Sequence, residues 1–295
     1  MRVMDNRYLA LRHIVEYGSF SAAADELRCS QSAVSQMIAS LEKELNVTLL
    51  NRQRGGCTLT EEGRQLYPLI ERYVEDGLRI RERTDEILGL DTGVIRMGTI
   101  ASISAHWLPG LISGFQQHHP NVRFVLHQGD YTTIQEWIHN GTIDFGFINP
   151  AAARDVRTIT IKRGAMLAVL PQGHPLAALD RVPLAALARE PMILLEEGHY
   201  SEPLEAFASV GLKPNVRLRI HDDYSIMTMV EAGLGFSILA ELILHRTSTN
   251  YRLALRPTDP PVERTIAIAY ADRDRLPLAA RRFIAHLRSN IDMLH

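Results

Sequence analysis

Four hydrogen-bonding side chains stand close together early in the chain: Gln31, Ser32, Ser35 and Gln36. A glutamine amide pairs bidentately with an adenine edge, and a serine hydroxyl both donates and accepts, so a surface carrying these groups suits nucleobase edges. Beyond them, Arg52 and Arg54 sit beside a Gly55-Gly56 pair. At a hairpin tip such arginines meet phosphates or enter a minor groove. A second set is spread through the rest of the chain: Ser102, Tyr131, Thr132, Thr133, Asn149, His199, Ser201 and Tyr224. These are mostly neutral donors, of the kind that hold a small organic anion beside helix N-termini.

The first set needs a helix. Ser30 is a natural N-cap, and Val34, Ile38, Leu41 and Leu45 recur at helical spacing, so that side packs inward. Ser32, Gln36, Ala39 and Lys43 then point away, Ser35 lies on the flank and Gln31 projects from the first turn. An ordinary solvated helix has the same pattern, so the face by itself leaves both readings open. The formal net charge is −2, and Met1 to Leu66 holds eight basic residues against eight acidic ones, so any nucleic-acid footprint is local.

Before that helix, Asp5 or Asn6 opens a helix running through Tyr17, with Leu9, Ile14 and Val15 inward, and Gly18 closes it. An Ala-rich helix comes next, from about Ser21 to Arg28. Past the polar-faced helix, Val47 to Leu50 and Cys57 to Leu59 are β-prone runs around the Gly-Gly turn, a hairpin or wing. Thr60 opens a long helix in which Leu66, Ile70, Tyr73, Gly77, Ile80, Thr84 and Ile87 recur near the coiled-coil period. Its length calls for a partner helix, most simply its own copy, and Pro68 is expected to bend it. Gly89 to Gly93 breaks the composition and marks a boundary.

From Val94 onward strand and helix alternate, an α/β pattern expected to be mostly parallel. Strands are expected at Val94 to Thr99, Val122 to Gln128 and Ile143 to Ile148, with helices at Ser104 to His118 and Thr133 to Asn140. A second set has strands at Met166 to Leu170, Met192 to Leu195, Val216 to Ile220 and Phe236 to Leu239, with helices near Glu202 to Val210 and Tyr224 to Ala232. Ile266 to Tyr270 and a last helix, Pro277 to Ile291, return the chain to the first lobe.

Several chemistries are absent from this pattern. Neither His118-His119-Pro120 nor His174-Pro175 offers metal ligands at paired spacing, so no metal and no cofactor is expected. Gly233-Leu234-Gly235 lacks the third glycine of a dinucleotide fingerprint, and no nucleophile elbow or phosphate-cradling loop occurs, so no enzyme is expected. Met229 to Leu244 is interrupted by charges and glycines and does not span a membrane, and Met1 to Arg7 is no signal peptide. Two cysteines, Cys29 and Cys57, imply no disulfide framework and suit a reducing cytoplasm; a redox switch between them is a minor alternative.

The run Ser19-Phe20-Ser21-x-Ala23-Ala24-x-x-Leu27-x-x-Ser30-Gln31-Ser32-Ala33-Val34-Ser35-Gln36-x-Ile38-x-x-Leu41-Glu42, with Leu49-Leu50-x-Arg52 and Leu59-Thr60-x-x-Gly63, resembles the LysR-type transcriptional regulators. Ser32 departs from a frequent Pro, Asn46 from a usual Gly and Leu50 from a frequent Phe. The resemblance implies an N-terminal all-α winged helix-turn-helix (1–60), a linker and dimerisation helix (61–89), and a C-terminal α/β two-lobed, periplasmic-binding-protein-like effector domain (93–295). Its lobes would be residues 93–162 with 266–295, and 163–265. Ser102 and the stretch Tyr131 to Thr133 fall where family members hold their effector. The implied partners are promoter DNA, a small-molecule effector and further copies of the chain as homodimer or homotetramer, with RNA polymerase a further candidate. The competing reading is a solute-binding protein or enzyme on the same two-lobed frame.

Overall fold

The structure is a computed structural model that describes residues 5–53, 56–87, 93–244 and 250–291. The chain divides into two compact units, residues 1–90 and 91–295.

In the first unit, α1 (Asn6–Tyr17) is capped by the Asp5 carboxylate and ends at Gly18. Its buried face is Ala10, Leu11 and Ile14, while Leu9 and Val15 are only half-buried. α2 (Phe20–Glu26) is capped by Ser19 and buries Ala23 and Ala24. α3 (Gln31–Leu45) starts at Ser30, whose hydroxyl accepts from the Ala33 N–H at 3.2 Å. It stops at Asn46, whose φ of +54° is the left-handed conformation that ends helices. Val34, Ile38 and Leu41 are fully buried against Leu11 and Ile14.

β1 (Leu50–Gln53) pairs antiparallel with β2 (Gly56–Leu59). The first strand begins later than its β-prone run. The cause is Glu42, whose Oε1 accepts from the N–H groups of Leu49 at 2.7 Å and Leu50 at 3.2 Å, tying this segment to α3. The domain is therefore a helical head carrying one small hairpin. α4 (Glu61–Ile87) runs through Pro68 as one helix. Gly63 in its first turn lies so close to the wing that a Cβ would come within 2.3 Å of the Leu49 carbonyl oxygen. The expected apolar seam divides in two. Leu66 and Ile70 pack into the head core, whereas Tyr73 and Ile80 are 47% and 56% exposed, as is Leu69 at 61%, a position outside the expected seam. The side chain of Ile87 lies outside the described residues.

The second unit opens with β3 (Gly93–Thr99), α5 (Ala101–His106), α6 (Leu108–Gln116), β4 (Val122–Gln128), α7 (Tyr131–Asn140) and β5 (Phe145–Ile148). The single helix expected over residues 104–118 is two helices. Pro109 has no N–H with which to continue the ladder, so α6 must start afresh at its own first turn. Next come β6 (Arg157–Pro171), β7 (Val182–Pro183), α8 (Leu184–Leu187), β8 (Pro191–Leu195), α9 (Glu202–Ser209), β9 (Asn215–Ile220) and α10 (Asp223–Glu231). The chain ends with β10 (Ser237–Ala240), α11 (Glu241–Leu244), β11 (Leu253–Tyr270) and α12 (Leu278–Ser289).

Among the described residues one sheet runs β10-β6-β11-β5-β3-β4, with β7 joined to β11. β3 is parallel to β4 and β5, and β8 to β9, as expected. The pairs β11-β5, β11-β6 and β10-β6 are antiparallel, so the sheet is mixed. The runs Met166 to Leu170 and Ile266 to Tyr270 prove to be only the apolar ends of β6 and β11. These two strands pair from Leu253 with Pro171 to Tyr270 with Arg157. The chain leaves the first lobe on β6 and returns on β11, which forces opposite directions. One lobe is built on Ile95, Phe145, Phe147 and Phe283, the other on Met192, Phe207, Ile226 and Phe236.

Candidate functional site

On α3, Gln31, Ser32 and Gln36 are exposed and Ser35 is half-buried, with Ala39 and Lys43 continuing the open face. The Ser32 hydroxyl lies 2.9 Å from that of Ser30, which fixes its direction beside the cap. Arg52 lies on β1, its side chain outside the described residues, and Arg54 lies outside them altogether. The Glu42 link ties the entry of the wing to the C-terminal half of α3. The helix thus presents exposed Gln31, Ser32 and Gln36 near its start, a surface rich in hydrogen-bonding groups of the kind that suits base edges.

In the second unit, the eight expected effector residues separate into those that converge and those that do not. Ser102, in the first turn of α5, is buried and accepts from Arg264 Nη2 at 2.7 Å. Tyr131 at the start of α7 is fully buried and donates its hydroxyl to Glu202 Oε1 at 2.9 Å. Asn149, following β5, donates to the same oxygen at 2.8 Å. Thr132 and His199 meet across the lobes: the ring Nδ1 lies 2.7 Å from Thr132 Oγ1, which also accepts from the His199 N–H at 2.9 Å. The ring Nε2 is 2.9 Å from the Ala152 carbonyl, an acceptor only, so Nε2 carries a proton. Thr133 uses its N–H to bond Asp130, and Ser201 caps α9. Tyr224 stays 39% exposed outside this network.

Loop geometry makes the approach possible. Gly198 holds φ +87°, and a Cβ there would come within 2.3 Å of Thr132 Oγ1. Glycine suits both demands.

Four residues of this network carry charge, and the expectation from sequence included none of them: Glu197, Glu202, Asp223 and Arg264, all at least nine-tenths buried. Arg264 Nη1 lies 3.3 Å from Glu197 Oε1. Glu202 and Asp223 act on the same guanidinium through space. Burial, then the adjacent Glu202, raises the Glu197 pKa well above its usual value, and burial also raises Asp223. Burial alone would lower the Arg264 pKa, but Tyr131, Glu197, Glu202 and Asp223 together hold it above the ordinary arginine value. Glu202 Oε2 accepts from no donor among the described residues, and a proton on the neighbouring Glu197 would supply one. Tyr131, Asn149 and Ser102 already serve the protein's own charged groups.

Arg264 had a signal in the sequence. Val262, Arg264 and Ile266 alternate inward on β11, which puts a guanidinium on the core side of a strand. Glu202, just before Pro203, reads as an ordinary acidic helix start, and Glu197 carries no pattern at all.

A family model described as the LysR substrate binding domain matches residues 88–292, and one for the bacterial regulatory helix-turn-helix protein, lysR family, matches residues 6–64. The chain is 32% identical to the HTH-type transcriptional regulator YvbU of Bacillus subtilis, over 92% of this chain and 93% of that one. It is 30% identical to the transcriptional dual regulator GltC of the same organism, over 85% of each. Among solved structures, CbnR, a LysR family transcriptional regulator, superposes with a TM-score of 0.72 at 20% identity, covering 99% of both chains. The effector-binding domain of QuiR in complex with shikimate superposes with a TM-score of 0.63 at 21% identity, covering 68% of this chain and 98% of that domain.

Proposed function

The chain belongs to the LysR-type transcriptional regulators, which bind promoter DNA and small-molecule effectors, and from that premise we propose how its own residues divide the work. Gln31, Ser32, Ser35 and Gln36 read base edges in a major groove, and Arg52 and Arg54 hold the flanking backbone. α4 pairs with its copy through the exposed stripe Leu69, Tyr73 and Ile80, giving a homodimer or a homotetramer built from dimers. The cytoplasm is the place of action, and RNA polymerase is a partner once the protein sits on a promoter.

The effector acts on the contact between lobes. Ser102, Tyr131, Thr132 and Asn149 on one side meet Glu197, His199 and Glu202 on the other, with Arg264 from β11 between them. A ligand that binds better to one arrangement of the lobes shifts their population and with it the spacing of paired heads. No helix among the described residues is long and apolar enough to cross a membrane.

The observation that carries this reading is the division of α3 into a fully buried stripe and an open polar face. A gel shift against the protein's own upstream DNA tests it. Binding should weaken steeply with salt, and Gln36→Ala with Ser35→Ala should cost about 1–3 kcal/mol of preference over random duplex. Equal affinity for both duplexes in the unsubstituted protein would refute it.

A further inference from the structure

The two lobes of the second unit close directly on one another through buried acid. From one lobe, the Tyr131 hydroxyl and the Asn149 amide both donate to Glu202 Oε1, at 2.9 and 2.8 Å. The other lobe supplies Glu202, at the start of α9, and Glu197, whose backbone carbonyl accepts from the Tyr131 N–H at 3.2 Å. Glu197 and Glu202 are 8% and 3% exposed, and Glu202 Oε2 accepts from no donor among the described residues. Asp223 and Arg264 are buried beside them. With every acid ionised, three negative charges would face one positive charge, leaving two uncompensated in a dry contact. A proton held on the Glu197–Glu202 pair removes one of those charges and puts a donor where two carboxylates would only repel.

We propose that the Glu197–Glu202 pair is a proton-operated latch: one proton held by the pair keeps the lobes shut, and its loss as pH rises parts them so that water reaches the second carboxylate. The surroundings favour keeping the proton. Burial, then Glu202, raises the Glu197 pKa well above the ordinary carboxyl range; Arg264 from β11 opposes them and Asp223 from α10 adds to them. Tyr131 from α7 meets the pair as a neutral phenol, as does Tyr200 beside Glu202, with Glu205 beyond it. His199 turns its ring to Thr132 and Ala152, and Asp130 borders the same loop at Gly198. Opening returns the carboxyl to water and lowers its pKa. Between that solvated value and the raised closed one, each pH unit multiplies the ratio of open to closed by up to about ten, and above the closed value the gain levels off. Closure is therefore favoured by acid. For its effect on DNA, the latch rests on the reading of the lobe contact as the point of control.

Hydrogen exchange of the full chain between about pH 5 and 8, corrected for the intrinsic rate at each pH, tests it. The reporters are peptides carrying the Tyr131 and His199 amides, which bond across the lobes to the Glu197 carbonyl and Thr132 Oγ1, and peptides from β3 and α6 are the reference. Reporter protection should fall by up to about tenfold per pH unit while the reference holds. Glu197→Gln keeps a neutral donor at every pH and should give a flat line. Glu202→Gln, whose amide oxygen still accepts from Tyr131 and Asn149, is a second route to that result. Tyr131→Phe removes a donor but no acid, so it should lower protection at every pH and keep the slope. In infrared spectra of the unsubstituted chain, a protonated-carboxyl band should fade over the same pH range. Flat protection in the unsubstituted chain, a band that does not fade, or a slope that survives in either glutamine variant while its reference peptides stay protected overturns the inference. A gel shift on the same samples separates the two levels. Intact promoter preference with flat protection sinks the latch alone, while loss of that preference beside a working latch sinks the regulator reading.

Discussion

Glu202 places one oxygen between two donors from the opposite lobe, Tyr131 and Asn149, and its nearness helps raise the Glu197 pKa. A single side chain thus ties lobe contact to protonation. The Glu197 pKa is raised in the folded protein above its usual 4.5, so the folded state binds that proton more tightly than the unfolded chain does. The resulting stability is full below the unfolded value and drains away as pH rises through the elevated native one. Urea melts of the full chain between about pH 5 and 8 should therefore show stability falling with rising pH, and Glu197→Gln should flatten that slope. Parallel slopes in the two proteins would mean that this carboxyl takes up no proton on folding.

Elements depend on a few anchoring contacts. The Glu42 carboxylate holds two backbone N–H groups at the entry to the wing, and Leu49 and Leu50, which carry them, are buried. Glu42→Ala strands those donors, so it should cost about 2–3 kcal/mol of head stability and reduce DNA affinity while leaving effector binding intact. A thermal melt and gel shift matching the unsubstituted protein would remove Glu42 from that role. On α4, the exposed positions Leu69 and Ile80 are open to a partner helix. Leu69→Asp with Ile80→Asp should convert the oligomer to monomer in sedimentation velocity, because two buried charges per copy are too costly for an apolar seam. An unchanged mass would place the interface elsewhere.

At the scale of the whole chain, the second unit is held by the β6-β11 ribbon and by loop contacts that cross from one lobe to the other. Gly198 is the tightest of these, since its positive φ and its closeness to Thr132 both exclude a side chain. Gly198→Ala should force the loop back from Thr132 at a backbone cost of about 1 kcal/mol or more, and amide exchange at His199 should accelerate. Unchanged exchange would show that the loop relaxes without parting the lobes. Much of the architecture obeys local rules legible in the sequence. Ser30, the Val34-Ile38-Leu41 stripe and Asn46 delimit α3, and the alternation of Val122, Phe124 and Leu126 marks β4, because capping and amphipathic burial act over a few residues. The split at Pro109 was equally local and available to the same rules. The long ribbon strands were hidden because their central residues, Lys162, Arg163 and Glu263 among them, lie between two cores and answer to neither in hydropathy. The clustering of Glu197, Glu202, Asp223 and Arg264 with Ser102 and Tyr131 was decided only by the tertiary structure. Residues far apart along the chain share one dry space there, and which of them must bear charge, give up a proton or stay free for a ligand depends on that shared space.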